Sequence, residues 1–167
     1  MGANEGDAIP REDPMLRSRI TESLKTAMKA KEPVALAAVR LIQAALKDRD
    51  IAARSKGNMN GIADDEILSM LQSMIKQRRD SIEMYEKGGR PELAEREAKE
   101  IDVIEGFLPE QMDDDAVDAA IAAAISELEA VSMKDMGRVM AVLKERHAGS
   151  MDFARASTQV KAKLSGG

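Results

Sequence analysis

The 167-residue chain has no cysteine, no tryptophan and a single histidine, and aromatic side chains make up only 2% of it. Without cysteine there is neither a disulfide nor a thiol nucleophile. With one histidine besides, the usual ligand sets for zinc are missing, and no metal is expected. No apolar run approaches the ~20 residues that a membrane-spanning helix needs. The opening stretch MGANEGDAIPREDP is polar and lacks the hydrophobic segment of a secretory signal. On those grounds the expected location is the cytoplasm, with no membrane partner. The Val/Ile/Thr alternation of a β-strand is also missing.

What is present is helix-forming. The chain is 44% hydrophobic and 33% charged, and its apolar residues are mostly Ala, Leu, Ile and Met. Three of these four are strong helix formers, so the expected class is all-α. A polar leader, residues 1–13, lacks periodicity and reads as disordered. Asp13-Pro14 is a cap followed by an N1 proline, and it opens a first helix over 14–31 with Leu16, Ile20, Leu24 and Ala27 on one face. Pro33 opens a second helix, apolar on nearly every face (Val34, Leu36, Val39, Leu41, Ile42, Leu46) and so expected to be central; it ends before SKGNMNG. A third begins near Asp64, with a stripe of Ile67, Leu71, Met74, Ile82 and Tyr85, and KGGRP closes it, with Gly88 in the left-handed position. Pro91 starts a fourth, carrying Leu93, Ala94, Ala98, Ile101, Ile104 and Phe107, which Pro109 stops.

Leu108-Pro109 is the expected boundary between a helical domain of about four helices, 14–108, and a three-helix domain, 109–167, small enough to be marginal alone. The fifth helix starts near Asp113, with Val117, Ile121, Ala124 and Leu128 on one face. Ser132 and Asp135 form a capping box for the sixth, with Asp in place of Glu. AGS at 148–150 breaks the sixth helix, and Asp152 caps a seventh carrying Phe153, Ala156, Val160 and Leu164.

The net charge of −5 is unevenly spread: residues 109–131 hold seven acids and no Lys or Arg, whereas residues 132–167 hold seven basic residues and three acids. Lys134, Arg138, Lys144, Arg146, Arg155 and Lys161, with Lys163, read either as a solvated surface or as a face that tracks an RNA backbone. Phe153 is the one aromatic there and its spacing says core, so an RNA would be recognised by shape and backbone rather than by base stacking. KQRRDSIEMYEKGGR, residues 76–90, offers a second cluster: Lys76, Arg78, Arg79 and Arg90 read either as a solvated face with intrahelical pairs such as Arg79–Glu83, or as an interaction surface.

No catalytic residues emerge. Asp113–Asp115 reads as a helix cap rather than a Mg²⁺ site, because adjacent helical residues point in different directions. His147 ends the sixth helix, where its charge suits the dipole, and has no nearby Ser or Cys to activate. GNMNG lacks both the P-loop lysine and a preceding strand, so no nucleotide cofactor is expected.

LKTAMKAKE, VRLIQAALKDRDI, KQRRDSIEMYEKGGRPELAEREAKEIDVIEGFLPEQM and SMKDMGRVMAVLKERHAG together resemble the GatB/YqeY family, specifically its stand-alone YqeY-like members, from Leu16 to about Leu164. The resemblance implies an all-helical protein with an N-terminal helical domain and a three-helix tail. The same module forms the C-terminal tail of the B subunit of the tRNA-dependent amidotransferase. That enzyme amidates Glu or Asp misacylated on tRNA with ammonia from glutamine, and its tail is associated with recognising the tRNA body. A carbon–nitrogen ligase label with glutamine as amido-N-donor would follow from membership. The catalytic domain has no counterpart in this chain, so no isolated activity is expected. Expected partners are tRNA and an amidotransferase or tRNA-processing protein; the alternative is a protein-interaction module docking through the third and fourth helices. Two features depart from the family pattern. Members typically begin near Met15, which makes residues 1–14 an addition, and AGSMDFARAS lacks the Gly-Arg-x-x-Gly character of relatives, with Arg155 as the substitute cation.

KDMGRVM, residues 134–140, places a glycine inside a helix at a cost of about 1 kcal/mol. Met133, Met136, Met140 and Leu143 fall on one face and read as core. Gly137, at the edge of that face, is expected to admit the backbone of a neighbouring helix or of a bound tRNA.

Overall fold

Leu16–Ala30 (α1) and Pro33–Ser55 (α2) form a helical hairpin in the computed structural model, which describes residues 16–166. The chain reverses at Lys31, whose φ of 53° is left-handed, and the Glu32 N–H closes the turn onto Ala27 O at 3.2 Å. Asp64–Lys87 (α3) and Pro91–Glu105 (α4) form a second hairpin packed along its length, and α2 lies against α1, α3 and α4. Asp114–Leu128 (α5), Met136–Arg146 (α6) and Phe153–Ser165 (α7) complete a chain that has seven α-helices and no strand among the described residues. The all-α reading therefore holds. The leader and the Asp13-Pro14 cap lie outside the described residues.

Apolar side chains gather into two clusters. One is drawn from α1–α4, with Ile20, Ile42, Ile67, Leu71 and Ile104 at its centre. The other is drawn from α5–α7, with Ile121, Val139, Leu143, Met151 and Val160. Few polar bonds join them. Gln72 Nε2 donates to Met151 O at 3.1 Å, and Leu68 abuts the left-handed Gly149, where a Cβ would come within 3.0 Å of the leucine side chain.

Several expectations are corrected. Helix α2 is central but not buried all round: Ala38, Val39, Ile42 and Leu46 face the core, while Leu41 and Ile51 are about half exposed. Ala98 is exposed, and the charged Glu100 is among the buried residues of α4. Gly88 has φ −84°; the left-handed residue of KGGRP is Gly89, at φ 70°. Pro109 does not stop α4, which has already ended at Glu105. Its last turn tightens through Phe107 N–H to Ile104 O and Leu108 N–H to Glu105 O, and this turns Phe107 into the first cluster.

The loop between α2 and α3 is held by one clamp. Arg17 donates from Nη1 and Nη2 to the two oxygens of Asp50, both at 2.7 Å, and Nη2 also reaches Ile62 O at 2.8 Å. Asp50 Oδ1 accepts the Ile62 N–H at 2.9 Å. The Arg17 guanidinium, helped by that N–H, holds the Asp50 carboxyl at a pKa of about 2 against an ordinary 3.8. A depressed carboxylate pKa adds stability that is complete above the unfolded value and lost as pH falls through the folded one. We expect about 1–2 kcal/mol, discounted for partial solvent screening, to disappear between about pH 4 and pH 2. Denaturant titrations across that window should show the loss in the wild type and a flatter profile in Asp50→Asn.

Candidate nucleic-acid interface

Local capping orders α5–α7 as the sequence implies. Asp113 Oδ1 accepts the Ala116 N–H at 2.8 Å, and Asp152 Oδ1 accepts the N–H groups of Ala154 and Arg155 at 3.1 and 3.3 Å. The capping box is present, with Ser132 Oγ accepting from Lys134 N–H and Asp135 accepting from Val131 and Ser132 N–H. It caps a 3-10 turn, Met133–Asp135, that feeds into α6. The Val131 N–H and then the Arg138 guanidinium hold Asp135 below the ordinary carboxylate range. His147 forms the C-terminal cap of α6, its N–H bonded to Leu143 O at 2.9 Å.

The methionines of α6 are not its core. Val139 and Leu143 are the buried residues, Met136 and Met140 are half-buried beside them, and Met133 is exposed. The apolar arc is centred one residue away from where the methionine spacing put it. Gly137 accordingly turns outward. It meets no neighbouring helix, and a Cβ there would find nothing within 4 Å.

The seven tail residues singled out by sequence, Lys134, Gly137, Arg138, Lys144, Arg146, Arg155 and Lys161, are all exposed. Three of the cations already have carboxylate partners within the chain: Arg138 with Asp135 at 2.7 Å, Arg146 with Glu127 at 2.6 Å and Arg155 with Asp114 at 2.9 Å. Lys134, Lys144 and Lys161 take part in no ion pair among the described residues. On α6 Gly137, which has no side chain, and the small Ala141 are exposed together with Lys144, and the exposed Lys134 precedes them in the 3-10 turn.

The second cluster divides. Arg78 is not a surface cation: its side chain is 12% exposed, and it donates to Glu100 at 3.1 Å and to Met74 O at 3.3 Å, with Glu97 3.9 Å away. Arg79 pairs across the hairpin with Glu105 at 3.3 Å rather than with Glu83, which pairs with Lys87. Arg90 is exposed and paired with Glu92 at 2.7 Å. Lys76 and Arg79 line a cleft of about 380 Å³ together with Gln72, Asp152 and Phe153, so α3 and the start of α7 do come together. Sequence reading missed Glu97 and Glu100 as the partners of Arg78, although their three-residue spacing places both on one face of α4. No group of three or more His, Asp or Glu able to hold a metal occurs among the described residues.

A family model for YqeY-like proteins matches residues 17–164. The chain belongs to the YqeY-like family. Among curated proteins this YqeY-like chain is similar to the "Altered inheritance of mitochondria protein 41, mitochondrial" of Pyrenophora tritici-repentis, 31% identical over 79% of this chain and 73% of the relative. The protein of the same name from Lachancea thermotolerans is 27% identical over 88% of this chain and 78% of the relative. These names overturn the cytoplasmic expectation, since the relatives are named as mitochondrial proteins. A polar stretch at the start and the want of a membrane span could not decide among aqueous compartments.

Proposed function

We propose that this YqeY-like protein is a non-catalytic tRNA-binding protein related to the amidotransferase tail, with residues 109–167 as the tail-like domain. The observation that carries the reading is the outward face of α6. Lys134 in the 3-10 turn that leads into it and Lys144 on α6 itself have no carboxylate partner among the described residues and stand beside the bare backbone of Gly137 and the small Ala141, and Lys161 stands on α7. Arg146 and Arg155 join only by exchanging an exposed carboxylate partner for a phosphate, a small cost because such pairs contribute at most about 1 kcal/mol, whereas Arg138 would have to leave Asp135, which is mostly covered. Ammonia transfer and carbon–nitrogen ligation are left to an associated enzyme.

The test is a tRNA titration of the full chain at two salt concentrations. Binding should weaken with salt, because each neutralised phosphate releases counterions. Joint replacement of Lys134, Lys144 and Lys161 by Ala should reduce affinity by on the order of tenfold and flatten the salt dependence. Affinity indifferent to both salt and the triple change would refute the reading. Glutamine-dependent amidation of misacylated tRNA by the isolated protein would refute its non-catalytic part.

A further inference from the structure

We propose that the solvent face of α2 is a second polyanion surface, with Arg40, Lys47 and Arg54 as its cation row and a nucleic-acid phosphate backbone as its ligand. This rests on the reading of the protein as RNA-binding and adds a binding face outside the tail. The most basic part of the chain is not the C-terminus. Residues 16–56 hold ten Lys and Arg against four acids, Glu22, Glu32, Asp48 and Asp50. Two of those acids are engaged within the hairpin, Asp50 by Arg17 and Glu22 by Lys25.

Arg40, Lys47 and Arg54 are seven residues apart, just under two helical turns, so they line up along one side of α2. That side lies about 100° round the helix from Val39 and Leu46, which face the core. All three are exposed, and none takes part in an ion pair among the described residues. At 1.5 Å per residue the row runs about 21 Å with a charge every ~10.5 Å. The small Ala44 lies between Arg40 and Lys47, and the half-exposed Ile51 lies between Lys47 and Arg54. Two acids stand near the row. Asp48 lies about 100° round the helix from Lys47, and Asp50, which feels the charge of Arg54, is taken up by Arg17.

The chemistry favours nucleic acid over other anionic partners. A helix that binds a lipid surface sinks its apolar face into the membrane, and the apolar face of α2 is already committed to the first cluster. Protein interfaces centre on aromatic anchors, and α2 has no aromatic residue. A row of separated point charges on a rigid helix suits a ligand whose own charge repeats along its length, read by backbone and not by base.

The experiment compares three full-length proteins: wild type, Arg40→Gln/Lys47→Gln/Arg54→Gln, and Lys134→Gln/Lys144→Gln/Lys161→Gln. Each is titrated with a tRNA transcript, a short RNA duplex of unrelated sequence, and phosphatidylserine vesicles, at low and moderate salt. The α2 triple should unfold at the wild-type denaturant midpoint, since its side chains are exposed. It should bind tRNA on the order of tenfold more weakly, with the salt slope reduced by about 0.9 for each phosphate it no longer neutralises. Wild-type affinity and slope in the α2 triple, with weakening confined to the tail triple, overturn the inference and leave the proposed function standing. Equal use of the row for the unrelated duplex, with no preference for tRNA, supports the row and overturns the tRNA assignment. No nucleic-acid binding by the wild type, or binding of vesicles alone, overturns both.

Discussion

Replacing Arg78 by Ala should cost about 3 kcal/mol of stability, the low end of what breaking a buried ion pair costs. The reason lies in what is left behind. Glu100 has a side chain only 9% exposed, its distance to Arg78 is 3.1 Å, and the remaining cation, Arg96, is 3.8 Å away and mostly in solvent. Without Arg78 the carboxylate must stay buried and poorly partnered, take up a proton, or pull α4 away from α3. Arg78 also bonds Met74 O, so the variant frees a backbone acceptor too. The pair itself is not the source of the fold's stability, because desolvating both charges offsets most of their attraction. An Arg78→Met/Glu100→Leu double variant should therefore recover most of the loss. Urea unfolding of the two variants checks this, and a double variant as unstable as the single one would show that the pair holds the hairpin by more than mutual neutralisation.

Gly61→Ala should cost about 3 kcal/mol, against about 1 kcal/mol for Gly57→Ala in the same loop. Both glycines have positive φ, 81° and 93°, so both alanines meet the same kind of backbone strain. They differ in what a Cβ would touch. At Gly57 nothing lies within 4 Å; at Gly61 a Cβ would sit 2.5 Å from Asp50 Oδ1 and 2.8 Å from Arg17 Nη2. Those side chains can move aside, but only by giving up the bidentate pair and the bonds to Ile62. The difference between the two substitutions thus measures the clamp. Equal costs in denaturant titration would mean that the clamp contributes nothing beyond the conformation of the loop.

How much was legible in the sequence depended on the distance between partners along the chain. Asp113, the Ser132–Asp135 box and Asp152 were readable because a cap and the N–H groups that donate to it lie within four residues. Arg78 with Glu100 and Arg17 with Asp50 were not, since 22 and 33 residues separate the partners. The face drawn through Met133, Met136, Met140 and Leu143 misled in part: Leu143 is buried, but the arc centres on Val139 and Leu143, which leaves Met136 and Met140 at its edge and Met133 exposed. The row on α2 was hidden by averaging: acids elsewhere in the first 108 residues masked the basic hairpin.

By itself the sequence determined the all-α class, the order of the helices, the local caps and the YqeY-like resemblance. All of these rest on residue spacing within one element or on motifs read along the chain. Only the tertiary structure decided which charges remain exposed without a partner, that Gly137 opens to solvent, and that Arg78 is internal. Exposure and ion pairing are properties of surfaces brought together from distant parts of the chain, and helical periodicity specifies a face without naming what will cover it.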